Sequence, residues 1–415
     1  VWNLVFSFKP STSWSIACGW SPVGLYSDSS LNNWNYKTQI YNNNSLIDNS
    51  YFYIIKFNYF LNMFEKLMSK KKPFFPINDE LNKYLTEYNR NLKIPIFYED
   101  LKRFSGSVSV YDKKDKDTLW VRVFYSEFER KDIDLSLKKV YNLLHSDGNE
   151  SNIDFLNIDA IDYCTFGNSK PFRIKIRNKL NDNFTYFYIK KADASRVYGL
   201  ELENLLSPYN LNFLINNDTL IEEHVAGIPG DEFFEEHLEK CNNSEKSQIA
   251  KEFVKFNERC MIRLLGDMRS YNYVIIPTHD FDQVIYKIRA IDFDQQCYEG
   301  NLKVYRPQFF KENKYIMNLV KDRLDSSSVN QYKTEERSII AKRILSSESR
   351  TKKILKCMCS DNISSKENIL LLSNQIFKLT KDVHFNNTKN MGEIIRATFN
   401  HVLRNYENHE MLGFN

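Results

Sequence analysis

The sequence predicts an α+β protein in which a strand-rich stretch is followed by a mostly helical one. Three observations predict it. Between residues 153 and 226, five short segments carry strand patterns, and one helical pattern is inserted after the third. From residue 231 onward, apolar residues recur at helical spacing. One hairpin, "YNYVIIP" and "QVIYKIRAIDFD", interrupts those helices.

The length of 415 residues suggests two or three domains. Residues 1–67 read as a leader outside the folded protein, either non-native translated upstream sequence or a disordered segment. They hold four of the five tryptophans, an Asn-rich stretch at 31–50, and "YFYIIKFNYFLN", whose amino acids use AT-rich codons. "MSKKKPFFPINDELNKYL" from Met68 then reads as an ordinary protein start. The alternative is a genuine N-terminal extension. Val1–Gly19 lacks the basic start of a signal peptide.

Residues 68–150 read as a small α+β unit. "SVSVYDKKDKDTLWVRVFY" gives two alternating strands about a polar turn, "DIDLSLKKVYNLLHSDG" has helical spacing, and "SDGNES" (146–151) is a linker. A five-stranded antiparallel unit at 151–226 follows. Its strands lie in "FLNIDAIDYCTF", "PFRIKIRNKL", "FTYFYIKKA", "LNFLINN" and "TLIEEHV", and its helix in "SRVYGLELENLL". Residues 227–415 form the helical part. In "SEKSQIAKEFVKFNERCMIRLL", Ile249, Phe253, Phe256 and Cys260 share one face, with Ser244 as the expected N-cap. Further helices are expected at 336–346, 365–381 and 392–405.

Composition narrows the function classes. The chain is 42% hydrophobic and 27% charged, enough apolar surface for a sizeable core. A net charge of +4 with interspersed signs argues against a nucleic-acid partner. The short basic runs at Lys70–Lys72 and 350–353 read as solvated surface. Seven scattered cysteines fit a reduced, cytoplasmic setting, and Cys357 and Cys359 read as two helix cysteines rather than metal ligands. No run of 18 apolar residues occurs, so no membrane-spanning helix is expected.

Chemistry concentrates at the hairpin. Its first strand is preceded by Asp267 and, five residues on, Asn272; its second ends in Asp292-Phe293-Asp294. Antiparallel pairing brings the loop before the first strand beside the end of the second. Asp267, Asn272, Asp292 and Asp294 should therefore meet at one edge. Oxygen donors of this kind suit Mg²⁺, which takes a few carboxylates together with phosphate oxygens and water.

With "GDMRSYN" and "AIDFDQ" in this order, the chain resembles the protein-kinase-like fold. It is closest to the atypical branch containing aminoglycoside phosphotransferases and choline kinases. The resemblance implies a bilobal molecule that uses ATP and Mg²⁺. It implies that Asp267 orients or deprotonates an acceptor hydroxyl, that Arg269 faces the transferring phosphoryl group, and that Asn272 and Asp292 hold the metal. Asp294 is a further ligand or a loop-capping acid. "FYIKKA" resembles the strand whose lysine binds the α- and β-phosphates. Side chains alternate along a strand, so only one of Lys190 and Lys191 faces the nucleotide, and Lys190 is favoured. Glu201 and Glu203 are the candidate ion-pair partners of that lysine. "TLIEEHVAGIPGDEFF" resembles the hinge, placing backbone groups near Glu223 and Val225 against the adenine. "TFGNSKPF" stands where a phosphate-covering loop belongs.

The chain departs from the pattern in three places. That loop has one glycine, Gly167; the metal motif has Asp294 where glycine is common; and no A-P-E motif follows. His224 reads as structural and Cys297 as a packed thiol. The expected function is transfer of the γ-phosphoryl group to a hydroxyl of a protein Ser/Thr or a small alcohol. The alternative is a catalytically weak, pseudokinase-like module that binds a nucleotide or a partner.

Overall fold

The computed structural model describes residues 72–407 apart from 146–149, 168 and 282. All of them belong to the second of two compact units, residues 62–415. The expectations for residues 1–67 and for the first part of the 146–151 linker lie outside the described residues.

The first half alternates helices and strands. Helix α1 (Asp79–Glu87) starts at Asn78, whose side chain accepts the Leu81 N–H, and α2 (Tyr98–Leu101) is a single turn. The hairpin β1 (Gly106–Tyr111) and β2 (Asp117–Phe124) leads into α3 (Glu127–His145). Then come β3 (Leu156–Cys164), β4 (Phe172–Asn178), β5 (Phe184–Lys191), α4 (Ala194–Leu206), β6 (Phe213–Asn216) and β7 (Thr219–Glu223).

These strands form one antiparallel sheet of seven in the order β1-β2-β3-β4-β5-β7-β6. The five-stranded expectation is corrected: β2 pairs with β3 (Trp120 opposite Cys164, Arg122 opposite Asp162), so the 107–125 hairpin extends the sheet. The physical reason is that β3 would otherwise be an edge with unpaired N–H and C=O groups, which a further strand satisfies.

The sheet has two covered faces because successive side chains point to opposite sides. On one face Ile174, Ile176, Phe187, Ile189 and Ile221 pack with Leu137, Val140 and Leu144 of α3. On the other, Leu220 and Ile215 pack with Val197 and Leu200 of α4. Lys190 is paired with Leu220 across the ladder and so points to the α4 side. This alternation positions the site.

The second half is helical apart from a small sheet. After β8 (Ile228–Pro229) come α5 (Gly230–Glu236), α6 (Asn243–Arg263), the hairpin β9 (Tyr273–Asp280) and β10 (Gln283–Ala290), then α7 (Lys314–Arg323), α8 (Ser326–Ser346), α9 (Glu348–Ser360), α10 (Lys366–Thr380) and α11 (Met391–Glu407). The order β10-β9-β8 forms a three-stranded sheet. The N-cap of α6 is Asn242, not Ser244. Its side chain accepts the Glu245 N–H at 2.9 Å while the Glu245 carboxylate accepts the Asn242 N–H at 2.7 Å, satisfying two end donors at once. The described cysteines are all free thiols, with Cys357 and Cys359 in α9. No helix among the described residues is long and apolar enough to cross a membrane.

Candidate active site

The hairpin register decides which acids meet. Tyr273 stands opposite Ala290, and just beyond them the Ile291 N–H donates to the Asn272 carbonyl at 3.1 Å. Further out, Leu265 bridges Gln296 and the Gly266 N–H donates to the Gln295 carbonyl at 3.0 Å. Residues 265–272 therefore run beside residues 291–296.

Gly266 is needed for this closeness. A Cβ there would lie 2.9 Å from Val304 Cγ1 and 3.0 Å from the Gln295 carbonyl oxygen. Gly266→Ala is expected to destabilise the protein by about 1–3 kcal/mol, the usual range for forcing a methyl group into packed surroundings. Urea unfolding measures it, and an unchanged midpoint would show that the two segments can part without penalty.

Asp267 follows with φ of 59°, a left-handed backbone that Asp and Asn tolerate better than other non-glycine residues. Its carboxylate accepts from Arg269 Nε at 2.7 Å, and its carbonyl accepts from the Asn272 side-chain amide at 2.7 Å. Arg269 also reaches Glu312 at 2.9 Å. Burial pushes the Asp267 carboxyl up to about 6; the Arg269 guanidinium opposes that rise, and the charges of Asp292 and Glu312 add to it. Arg269 itself is raised, its carboxylate partners outweighing burial.

Asp292 and Asp294 meet a cation already present in the fold. Arg196, in the first turn of α4, is buried to 1% exposure. Its Nη1 lies 2.9 Å from Asp292 Oδ1 and 2.7 Å from Asp294 Oδ1. Its Nε and Nη2 take the two oxygens of Glu222, the latter at 2.7 Å. Lys190 Nζ donates to Glu222 as well, at 2.8 Å. At the start of the same helix, the N-cap Asp193 is paired with Lys72 at 2.8 Å. The helix can approach because it carries Gly199: a Cβ there would sit 3.0 Å from Phe293 Cβ, between the two acids.

Both acids of this pair feel burial first. Arg196 then holds Asp294 below its ordinary value, whereas the neighbouring Asp294 charge helps keep Asp292 above its own. Glu222 is lowered because Arg196 and Lys190 outweigh its burial.

Lys190 is buried and Lys191 exposed, as strand alternation requires; Lys191 lies over the Phe74 ring at 4.6 Å. The expected partners of the lysine are corrected. Lys190 pairs with Glu222, whereas Glu201 binds Arg350 at 2.7 Å and Arg90 at 3.3 Å, and Glu203 pairs with Arg263. The reason is helix direction: both glutamates lie beyond the first turn of α4, on sides that face α1, α6 and α9. Glu222 instead stands opposite Tyr188, on the same face of the sheet as Lys190 and one diagonal step from it.

The Glu223 N–H is committed to the Asn212 carbonyl at 3.0 Å, and the Val225 side chain is buried in the core. His224 Nδ1 shares a hydrogen bond with the Tyr188 hydroxyl at 3.2 Å, and burial lowers the imidazole. The segment around Gly167 is a turn between β3 and β4, held to β2 by the Thr165 N–H donating to the Leu119 carbonyl at 3.0 Å. Cys297 is fully buried.

Sequence reasoning missed Arg196, Glu222 and Glu312. Two of them left a signal. Arg196 is the one Lys or Arg in the largely apolar pattern "SRVYGLELENLL", and a guanidinium buried on such a helix requires carboxylate partners. Glu222 alternates with Glu223, so one of the two had to share the sheet face of Lys190.

The donor chemistry fits a hard divalent cation. Asp292 and Asp294 each keep one carboxylate oxygen that Arg196 does not take, and Asn272, whose amide nitrogen is bound to Asp267, keeps its amide oxygen. Among the described residues, the group of three acids or histidines close enough to share an ion is Glu232, Glu236 and His237, outside this site. A metal held at Asp292 and Asp294 would thus need oxygens from a bound ligand or water to complete its shell. Compared with models of known protein families and with curated proteins, the chain matches none.

Proposed function

We propose that the chain is an ATP- and Mg²⁺-dependent phosphotransferase that moves the γ-phosphoryl group to a hydroxyl acceptor, a protein Ser/Thr or a small alcohol. The observation that carries this reading is the convergence of the Asp267–Asn272 loop with Asp292 and Asp294, beside a buried lysine on the neighbouring sheet. The helix inserted after the third strand of β3, β4, β5, β6 and β7 supports it further, because its first turn reaches both Glu222 and the two acids.

In this reading each side chain has a task. Asp267 accepts the proton of the acceptor hydroxyl; a carboxyl raised to about 6 is a better base than an exposed one and is still ionised at neutral pH. Arg269, anchored by Glu312, presents a fixed cation to the charge that spreads over the phosphoryl oxygens. Lys190 exchanges its bond to Glu222 for the α- and β-phosphates. Asn272, Asp292 and Asp294 would hold Mg²⁺, which supplies neutralisation of the phosphate charge. With the Glu223 N–H committed to Asn212 and the Val225 side chain in the core, the remaining backbone groups of the segment from Glu223 to Val225 would face the adenine.

ATP consumption with and without candidate alcohols and proteins tests the reading. Lys190→Met is expected to abolish turnover, and Lys191→Met to retain it, because only the first points to the acids. Equal effects of the two, or no ATP consumption by the parent, would count against the proposal. Arg196 bound to both Asp292 and Asp294 favours one second reading, a pseudokinase-like module that binds nucleotide or a partner without turnover. ATP-dependent thermal stabilisation without ADP release would select it.

A further inference from the structure

The protein carries its own cation at the place where Asp292 and Asp294 would otherwise share one, and this limits the number of metal ions at the site. It rests on the nucleotide-binding reading above. A single nitrogen, Arg196 Nη1, lies between Oδ1 of Asp292 (2.9 Å) and Oδ1 of Asp294 (2.7 Å). Asp292 Oδ1 also accepts the Asp294 N–H at 3.0 Å. One oxygen of each carboxylate is therefore committed. Two divalent ions bound side by side at these carboxylates would have to share the one oxygen that each acid leaves uncommitted.

Arg196 is not free to withdraw. Its remaining arms hold both oxygens of Glu222, which Lys190 also holds, and the guanidinium is fully buried. Moving it would strip Glu222 of its main partner and leave a buried charge unpaired. Charge gives the same answer. Lys190 and Arg196 face Glu222, Asp292 and Asp294, leaving one net negative charge. The nucleotide's phosphates add negative charge that an ion on the outer oxygens neutralises, whereas a second ion would have to sit against the fixed guanidinium, which repels it.

We infer that Arg196 takes the place of a second metal ion, so that the site binds one divalent cation together with its nucleotide. Arg196 is thus a positioning residue: it fixes the two carboxylates so that their outer oxygens face a single ion.

The test is a count of bound Mn²⁺ by electron paramagnetic resonance on the full chain with a saturating β,γ-imido analogue of ATP. One Mn²⁺ per chain is expected for the parent and for Arg196→Lys, and two for Arg196→Gln, with circular dichroism confirming that each variant is folded. The parent and lysine counts decide the matter even where the glutamine variant does not fold. Two ions in the parent or in Arg196→Lys overturn the inference and leave the phosphotransferase reading standing, as does a count of one in folded Arg196→Gln protein. A parent that binds neither the analogue nor Mn²⁺ overturns both.

Discussion

Arg196→Met is expected to lower the stability of the protein by about 3–5 kcal/mol, the loss typical of removing one partner from a buried ion pair. The reason is the company that Arg196 keeps. Its guanidinium answers three carboxylates at once, with both oxygens of Glu222 on one side and one oxygen each of Asp292 and Asp294 on the other. Methionine preserves much of the volume and none of the charge. Lys190 still neutralises part of Glu222, but among the described residues no other cation forms an ion pair with Asp292 or Asp294. Arg196→Lys should fall between parent and methionine, because an ammonium cannot span three carboxylates as a planar fork does. Urea unfolding with an unchanged slope gives the difference directly. A loss under about 1 kcal/mol would mean that the carboxylates relax to water, and the buried cluster would then be weaker than its geometry indicates.

The pH dependence of that loss has a defined sign. Glu222 and Asp294 are held below their ordinary values, so the stability they contribute is present above the usual carboxyl range and is lost as pH falls through their folded values. Asp292 is raised by burial and by Asp294, and its ionisation works in the opposite direction. Without Arg196 all three lose their main counter-charge and take up protons more readily. The difference between parent and Arg196→Met should therefore be largest near neutral pH and shrink toward about pH 4.

The legible part of this fold was the part written in local periodicity. Alternation in "FTYFYIKKA" assigned a strand and also implied that Lys190 and Lys191 point apart, which the sheet bears out. The helix at 194–206 and the 273–290 hairpin were equally visible. The seventh-strand count was not, because the pairing of β2 with β3 depends on contacts between segments some forty residues apart and leaves no period in either. The site divides in the same way. Asp267, Asn272, Asp292 and Asp294 could be grouped because hairpin geometry connects them. The partner of Lys190 was misplaced onto the helix, because the sequence does not reveal that Glu201 and Glu203 are drawn to Arg350, Arg90 and Arg263. Arg90 and Arg350 are remote in sequence and adjacent only after the helices pack.

Asp267→Asn should separate function from stability more cleanly than any other substitution in the molecule. On the phosphotransferase reading, phosphoryl transfer is expected to fall by about 10²–10⁴-fold, the range for loss of a general base, with nucleotide affinity unchanged. Asparagine is the right probe because it tolerates the left-handed backbone at φ of 59°, where alanine would add strain of its own. Stability should hold or rise. A carboxyl raised to about 6 favours its neutral form in the folded protein, so it contributes stability at low pH that is lost as pH climbs from the ordinary carboxyl range to about 6. A neutral amide escapes that loss, and Arg269 keeps Glu312 as its partner. In the parent, turnover should rise with pH and level off above about 6, since on the same reading the ionised carboxylate is the active form. Arg269→Gln removes the guanidinium that opposes this rise, so its profile should level off at a higher pH than the parent's. A parent rate flat from the acid range to neutrality, or an Asp267→Asn protein that turns over ATP as the parent does, would remove Asp267 from the chemistry and leave the acidic edge as a binding surface.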